Sequence, residues 1–148
     1  MNKKFLDLAI RESEKSVRVG SSPFGAVVVR DGVVIARAHN TVVPKHDPTA
    51  HAEVNAIRAA CKKLGTSDLS GCDLYSSCEP CPMCAAAITW ANISHVYYAA
   101  DRSDADKIGF RDKRMFDSKC RVRMRHIENT DAPDIMERWH KLKTRKKY

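Results

Sequence analysis

The chain has 148 residues, with 26 basic against 18 acidic side chains and a net charge of +8. That is enough for one domain with its own core, and 43% hydrophobic with 30% charged residues excludes a disordered polymer. No apolar run approaches the ~20 residues of a membrane span, and Asp7 and Arg11 break up the short N-terminal apolar stretch, so neither export nor membrane insertion is expected and the cytoplasm is.

Phe5, Leu6, Ala9, Ile10, Ser13 and Val17 recur at helical spacing and predict an amphipathic first helix ending at Gly20. Residues 25–30 and 33–38 are β-branched runs joined by Asp31-Gly32, a hairpin signal because both central turn residues need positive φ. After a polar loop over 39–48, Val54, Ile57, Cys61 and Leu64 mark the inner face of a second helix closed by Gly65. Residues 73–77 read as a third strand, 81–91 as an Ala-rich helix after Pro80, and 95–100 as a fourth strand. Over 120–127, Cys120, Val122 and Met124 alternate with Arg121, Arg123 and Arg125, the period of a half-buried fifth strand. Asp131 and Pro133 start a last helix with Ile135, Trp139 and Leu142 on its apolar face. With no repeat or linker, residues 1–148 read as a single α/β domain. The expected fold is a three-layer α/β/α sandwich, a mixed sheet with helices on both faces.

The charge is uneven. Residues 1–110 hold 13 basic and 12 acidic side chains, whereas 111–148 hold 13 and 6, so the last third carries +7. Such a segment is either a solvated face or a nucleic-acid contact.

Six cysteines without an export signal do not suggest a disulfide framework, and Cys78, Cys81 and Cys84 are packed at metal-ligand spacing. His51-Ala52-Glu53 and Pro80-Cys81-Pro82-Met83-Cys84 each fall at a predicted helix start. Cys81 and Cys84 lie about 60° apart around a helix axis, so both sulfurs can face one ion. Helix N-termini favour thiolates. One histidine and two thiolates suit Zn²⁺ and leave the fourth tetrahedral position to water, whose pKa falls towards ~7 when bound. Glu53, close by and not a ligand, is suited to carry that water's proton. A closed structural site with Cys78 as fourth ligand is the plainer alternative. It leaves Glu53 unused, and Pro80 pushes Glu79 into an extended conformation that carries Cys78 back onto the strand. An iron–sulfur cluster would need a fourth cysteine where Ala85, Ala86, Ala87 and Ile88 stand.

His-x-Glu joined to Pro-Cys-x-x-Cys is the signature of the zinc nucleobase deaminases. At these residues the chain resembles the cytidine-deaminase-like superfamily, and within it the bacterial guanine deaminases, over about residues 5–112. Pro23-Phe24-Gly25, 47–53 and 74–84 carry the likeness, with Ala87-Ile88, Trp90-Ala91, Tyr98-Ala99-Ala100 and Gly109-Phe110. The catalytic core is shared with bacterial tRNA adenosine deaminases. Cys78, Trp90 and the Gly109–Asp112 segment look like the guanine enzymes.

The resemblance implies a five-stranded sheet, one zinc per subunit, a homodimer and a free purine base as substrate. It implies that Asn40 hydrogen-bonds the base, that Phe24 and Trp90 line the pocket, and that Asp112 is a second polar catalytic group near the leaving amine. Tyr148 would close the site, in the partner subunit if the C-terminal segment of about 129–148 is swapped. Two departures stand out: Arg111 replaces a usually acidic residue beside Asp112, and the stretch before the last helix is shorter and more basic.

Three readings follow: hydrolysis of guanine to xanthine and ammonia, deamination of adenosine in an RNA loop, and a zinc-stabilised binding module without catalysis. Cytosine, aminotriazines, modified purines and nucleosides stay open as substrates of the same chemistry.

Overall fold

The computed structural model describes residues 2–110, 132–141 and 143. Helix α1 (Lys3–Arg18) leads into the hairpin of β1 (Gly25–Arg30) and β2 (Val33–His39). A single turn, α2 (Val42–Lys45), precedes α3 (Ala52–Leu64), β3 (Cys72–Cys78), α4 (Pro82–Trp90) and β4 (His95–Ala100). The short α5 (Arg102–Lys107) follows, and α6 (Ala132–Lys141) is the last described helix. None of the described helices is long and apolar enough to cross a membrane.

The four described strands lie in the order β2-β1-β3-β4, antiparallel except for the parallel β3/β4 pair. The sheet is therefore mixed, and α4 makes the crossover between its parallel strands. The fifth strand expected over 120–127 lies outside the described residues, so the described sheet has four strands, not five. Asp31 and Gly32 take φ of 50° and 74°, the two positive values that a two-residue hairpin demands.

Strand β1 is buried on both faces. Ala26 and Val28 meet Ala52, Ala56, Ile57 and Ala60 of α3 and Ile88 of α4, while Val27 and Val29 meet Phe5 and Ala9 of α1. These are the expected helix layers on both faces. Alanines at 52, 56 and 60 let α3 sit close to the sheet. On the other face α1 approaches so closely that a Cβ at Gly25 would lie 2.2 Å from the Ala9 carbonyl oxygen and 2.4 Å from the Ser13 nitrogen.

Helix α1 buries only part of the stripe its apolar residues predict, Phe5 and Ala9, with Leu6 and Ser13 half-buried. The inward positions are Phe5, Ala9, Glu12 and Ser16, while Ile10 and Val17 are exposed. Two polar side chains win the inner face because each finds partners there. The Ser16 hydroxyl reaches the carbonyls of Ser22 and Asn40, and Glu12 gathers cations from α1 and β2. On α3 the buried face is likewise rotated, to Ala52, Glu53, Ala56, Ile57 and Ala60, with Val54, Cys61 and Leu64 half-buried. Helices α2 and α5 were not expected. Asp101 and Asp104 form a reciprocal capping box at α5, a four-residue signal present in the chain.

Candidate active site

Two helix starts converge at the C-terminal end of β3. His51 is the N-cap of α3 and Cys81 the N-cap of α4, both in extended backbone conformations. Neither side chain caps its own helix; both turn towards one another. The His51 Nδ1 lies 3.6 Å from the Cys81 Sγ and 3.5 Å from the Cys84 Sγ, and the three donor atoms all fall within 4.8 Å of one another. Tetrahedral zinc with ordinary Zn–S and Zn–N bonds separates a sulfur from a nitrogen by about 3.5 Å. The donor set therefore fits a zinc ion in both chemistry and spacing.

The approach to His51 is held by local hydrogen bonds. Asp47 accepts from the Thr49 amide (2.8 Å) and hydroxyl (2.7 Å), which lowers its carboxyl below the ordinary 3.8. The Thr41 amide donates to the Ala50 carbonyl, closing the loop over 41–50. The Asn55 amide group of α3 lies 3.0 Å from the carbonyl of His39 and from the Thr41 hydroxyl oxygen, and 3.1 Å from the Ala50 carbonyl. Both ends of the loop are thus pinned to the helix that presents Glu53.

Glu53 is 6% exposed. Its Oε1 accepts from the Ser76 hydroxyl at 3.2 Å, and its Oε2 faces the Cys84 Sγ at 3.5 Å. Burial is the main influence on its carboxyl, which stands above its ordinary 4.5, and the negative Cys81 sulfur pushes the same way. The thiols are unlike. Cys81 is pushed down to about 4, first by the hydrogen bond from Cys84 and then by His51, while that same bond and burial push Cys84 well above the ordinary value. Binding a dication through two thiolates releases thiol protons.

A recess beside the donors is lined by Phe24, His51, Glu53, Glu79, Cys81 and Phe110. The rings of Phe24 and Phe110 meet edge to face with centroids 4.8 Å apart. Glu79 is tied by both oxygens to Arg102, through its guanidinium and its backbone N–H.

His51, Glu53, Cys81, Cys84 and Phe24 are thus together. Asn40 stands next to this wall: its backbone N–H donates to the Phe24 carbonyl at 3.0 Å, and the residue is 2% exposed. Its side-chain oxygen accepts from the Ser21 hydroxyl (2.9 Å) and the Val42 amide (3.0 Å). Val42 N–H can only donate, which fixes the amide orientation and leaves the Asn40 NH₂ as the group it offers. Trp90 is not brought to the recess. It ends α4, about 13 Å along the axis from Cys81, and is 66% exposed. Asp112 and Tyr148 lie outside the described residues. Cys78 is not one of the three donors; its thiol donates to the Asp101 carbonyl at 3.6 Å, away from the fourth-ligand position a closed structural site would need.

Sequence reasoning missed Ser76, Glu79 with Arg102, and the pocket role of Phe110. Only Ser76 has a clear signal, a polar residue among the inward positions of an apolar strand.

Residues 1–100 match the family model described as the cytidine and deoxycytidylate deaminase zinc-binding region. The chain is 53% identical over 109 residues to the guanine deaminase of Bacillus subtilis, covering 73% of this chain and 70% of the relative. The crystal structure of a Bacillus subtilis guanine deaminase superposes with a TM-score of 0.93 at 41% identity, over 100% of this chain and 99% of that one. A tRNA-specific adenosine deaminase of Aquifex aeolicus is 45% identical over 96 residues, 65% of this chain and 64% of its own length. A further structure, of a protein in complex with 8-azaguanine, superposes at a TM-score of 0.70 and 35% identity, covering 73% of this chain and 63% of that one. With its donor triad, its buried glutamate and these relatives, the chain belongs to the cytidine and deoxycytidylate deaminase zinc-binding family.

Proposed function

We propose that the protein is a zinc-dependent hydrolase of a free purine base, converting guanine and water to xanthine and ammonia. The observation that carries this reading is the full-length structural match to a guanine deaminase. Similarity to the tRNA-specific relative of Aquifex aeolicus covers only 65% of the chain.

His51, Cys81 and Cys84 would hold the ion. When bound, zinc supplies an open coordination position at which water becomes a nucleophile at neutral pH. The chain's own residues do the rest. Glu53 accepts a proton from the attacking water and gives it to a ring nitrogen; it then takes the remaining proton of the newly added hydroxyl and delivers it to the departing amine. A carbon–oxygen bond forms at the amine-bearing ring carbon and the carbon–nitrogen bond breaks. Phe24 packs against the flat base, and the Asn40 NH₂ donates to one of its acceptors, a pairing that penalises bases lacking it. Asp112 is assigned to the leaving amine and Tyr148 to closing the site.

The protein is read as one domain with a five-stranded sheet, acting in purine catabolism in the cytoplasm as a homodimer, with residues 129–148 exchanged between subunits. Exposed Trp90 on α4 supports a second copy at that face, as do exposed Ile135, Met136 and Trp139 on α6. In that arrangement Trp90 would serve a pocket from the interface.

A second reading, deamination of adenosine in RNA, is favoured by the +7 charge of residues 111–148. Zinc-loaded protein should be incubated with guanine, adenine, cytosine, aminotriazines, nucleosides and an RNA stem-loop at rising salt. Guanine turnover insensitive to salt supports the first reading. Turnover of the stem-loop alone, falling steeply with salt, replaces it with the second.

A further inference from the structure

Position 76 belongs to the row of β3 that faces α3 and α4, with Cys72 and Leu74, both fully buried. In this apolar row Ser76 is 1% exposed, and its hydroxyl makes one hydrogen bond among the described residues, to Glu53 Oε1 at 3.2 Å. Alanine or cysteine would fill the row without burying a hydroxyl. The consequence of that hydroxyl therefore falls on Glu53. It makes the two carboxylate oxygens unlike: Oε1 is tied to the sheet, and Oε2 lies on the side of Cys84 and the donor cluster.

We infer that Ser76 is a positioning residue for the deamination chemistry. Its O–H fixes Oε1 and so keeps Oε2 turned towards the donor cluster, as the oxygen that takes the proton from water and returns it to the substrate. The Ser76 proton stays on Oγ throughout. This rests on Glu53 being the proton carrier, as proposed above, and not on the base being guanine.

The test compares Ser76→Ala, Ser76→Val and Ser76→Thr, each assayed with the base that the wild type turns over best. Ala and Val should lower kcat about ten- to a hundredfold, the rate equivalent of one hydrogen bond to a charged group. KM should stay within twofold, with zinc content and melting temperature at wild-type values for Ala. Thr, which keeps the hydroxyl on a branched side chain shaped like Val, should restore most of kcat. Adding Ser76→Ala to Glu53→Gln should cost nothing further, because both changes remove one device. Wild-type kcat in Ser76→Ala, equal losses in Val and Thr, or additive losses in the double variant would overturn the inference while leaving the deaminase reading intact. A wild type inactive on every base, nucleoside and RNA offered would bring down both.

Discussion

Two glutamates are buried to nearly the same degree, Glu12 at 5% and Glu53 at 6% exposure, yet their surroundings are opposite. Glu12 on α1 lies 2.7 Å from Lys15, 3.7 Å from Arg37 and 3.6 Å from the His39 ring, in a recess that Lys45 and Arg58 also line. Glu53 has no lysine or arginine among its partners in the described residues. It has a hydroxyl, a thiol and the acidic Cys81 sulfur, and its carboxyl is raised. A buried carboxylate matched by cations joins a helix to a sheet. One without lysine or arginine partners, at the wall of a recess and beside metal-binding donors, is placed to exchange a proton with a group in that recess.

The contrast can be broken at several points. Chelating the metal should abolish deamination, and added zinc should restore it; activity that survives complete metal removal would put Glu53 outside a zinc mechanism. Glu53→Gln should lower kcat by about 10²–10⁴ with zinc retained, and should leave the melting temperature of the metal-free protein unchanged or raised, since a buried carboxyl without lysine or arginine partners is replaced by a neutral amide.

Gly25→Ala tests the seat on which Glu12 rides. The new Cβ also meets the Glu12 Cβ at 2.7 Å, so α1 must move, at an expected loss of about 3 kcal/mol in denaturant unfolding. Glu12→Gln should cost about 1 kcal/mol, because Lys15 and Arg37 are half-exposed and regain water. Its kcat should stay within twofold. A large kcat loss without a stability loss would erase the distinction between the two glutamates.

Asp47 sharpens the comparison as a half-exposed carboxylate outside the core. Its carboxyl is lowered in the fold, so the stability it adds is present above pH 3.8 and fades as pH falls through the lowered value. The melting-temperature gap between wild type and Asp47→Ala should therefore narrow on titrating from pH 6 towards pH 3. A gap independent of pH would assign the Thr49 contacts no role in holding the loop before His51.

The donor triad was legible because chemistry restricts it. Few residue types bind zinc, and the spacing of Cys81 and Cys84 at a helix start leaves one geometry. The hairpin was legible for a similar reason, since few residues accept positive φ at both turn positions. The inner face of α1 was not, because hydrophobic spacing cannot foresee that Glu12 and Ser16 find partners on β2 and in the loops. Ser76 shows in the sequence only as a polar residue at an inward strand position; its role could not be read there, because its partner lies 23 residues away on another element. Trp90 matched a family pattern, but its place at the far end of α4 follows from the length of that helix.

The most direct test is ultraviolet detection of xanthine, with an ammonia assay, on guanine incubated with wild type and Glu53→Gln carrying equal zinc. Equimolar xanthine and ammonia from the wild type, with the variant slower by two orders of magnitude or more, is the predicted result. No xanthine from fully zinc-loaded wild type, or equal rates from both proteins, would contradict it.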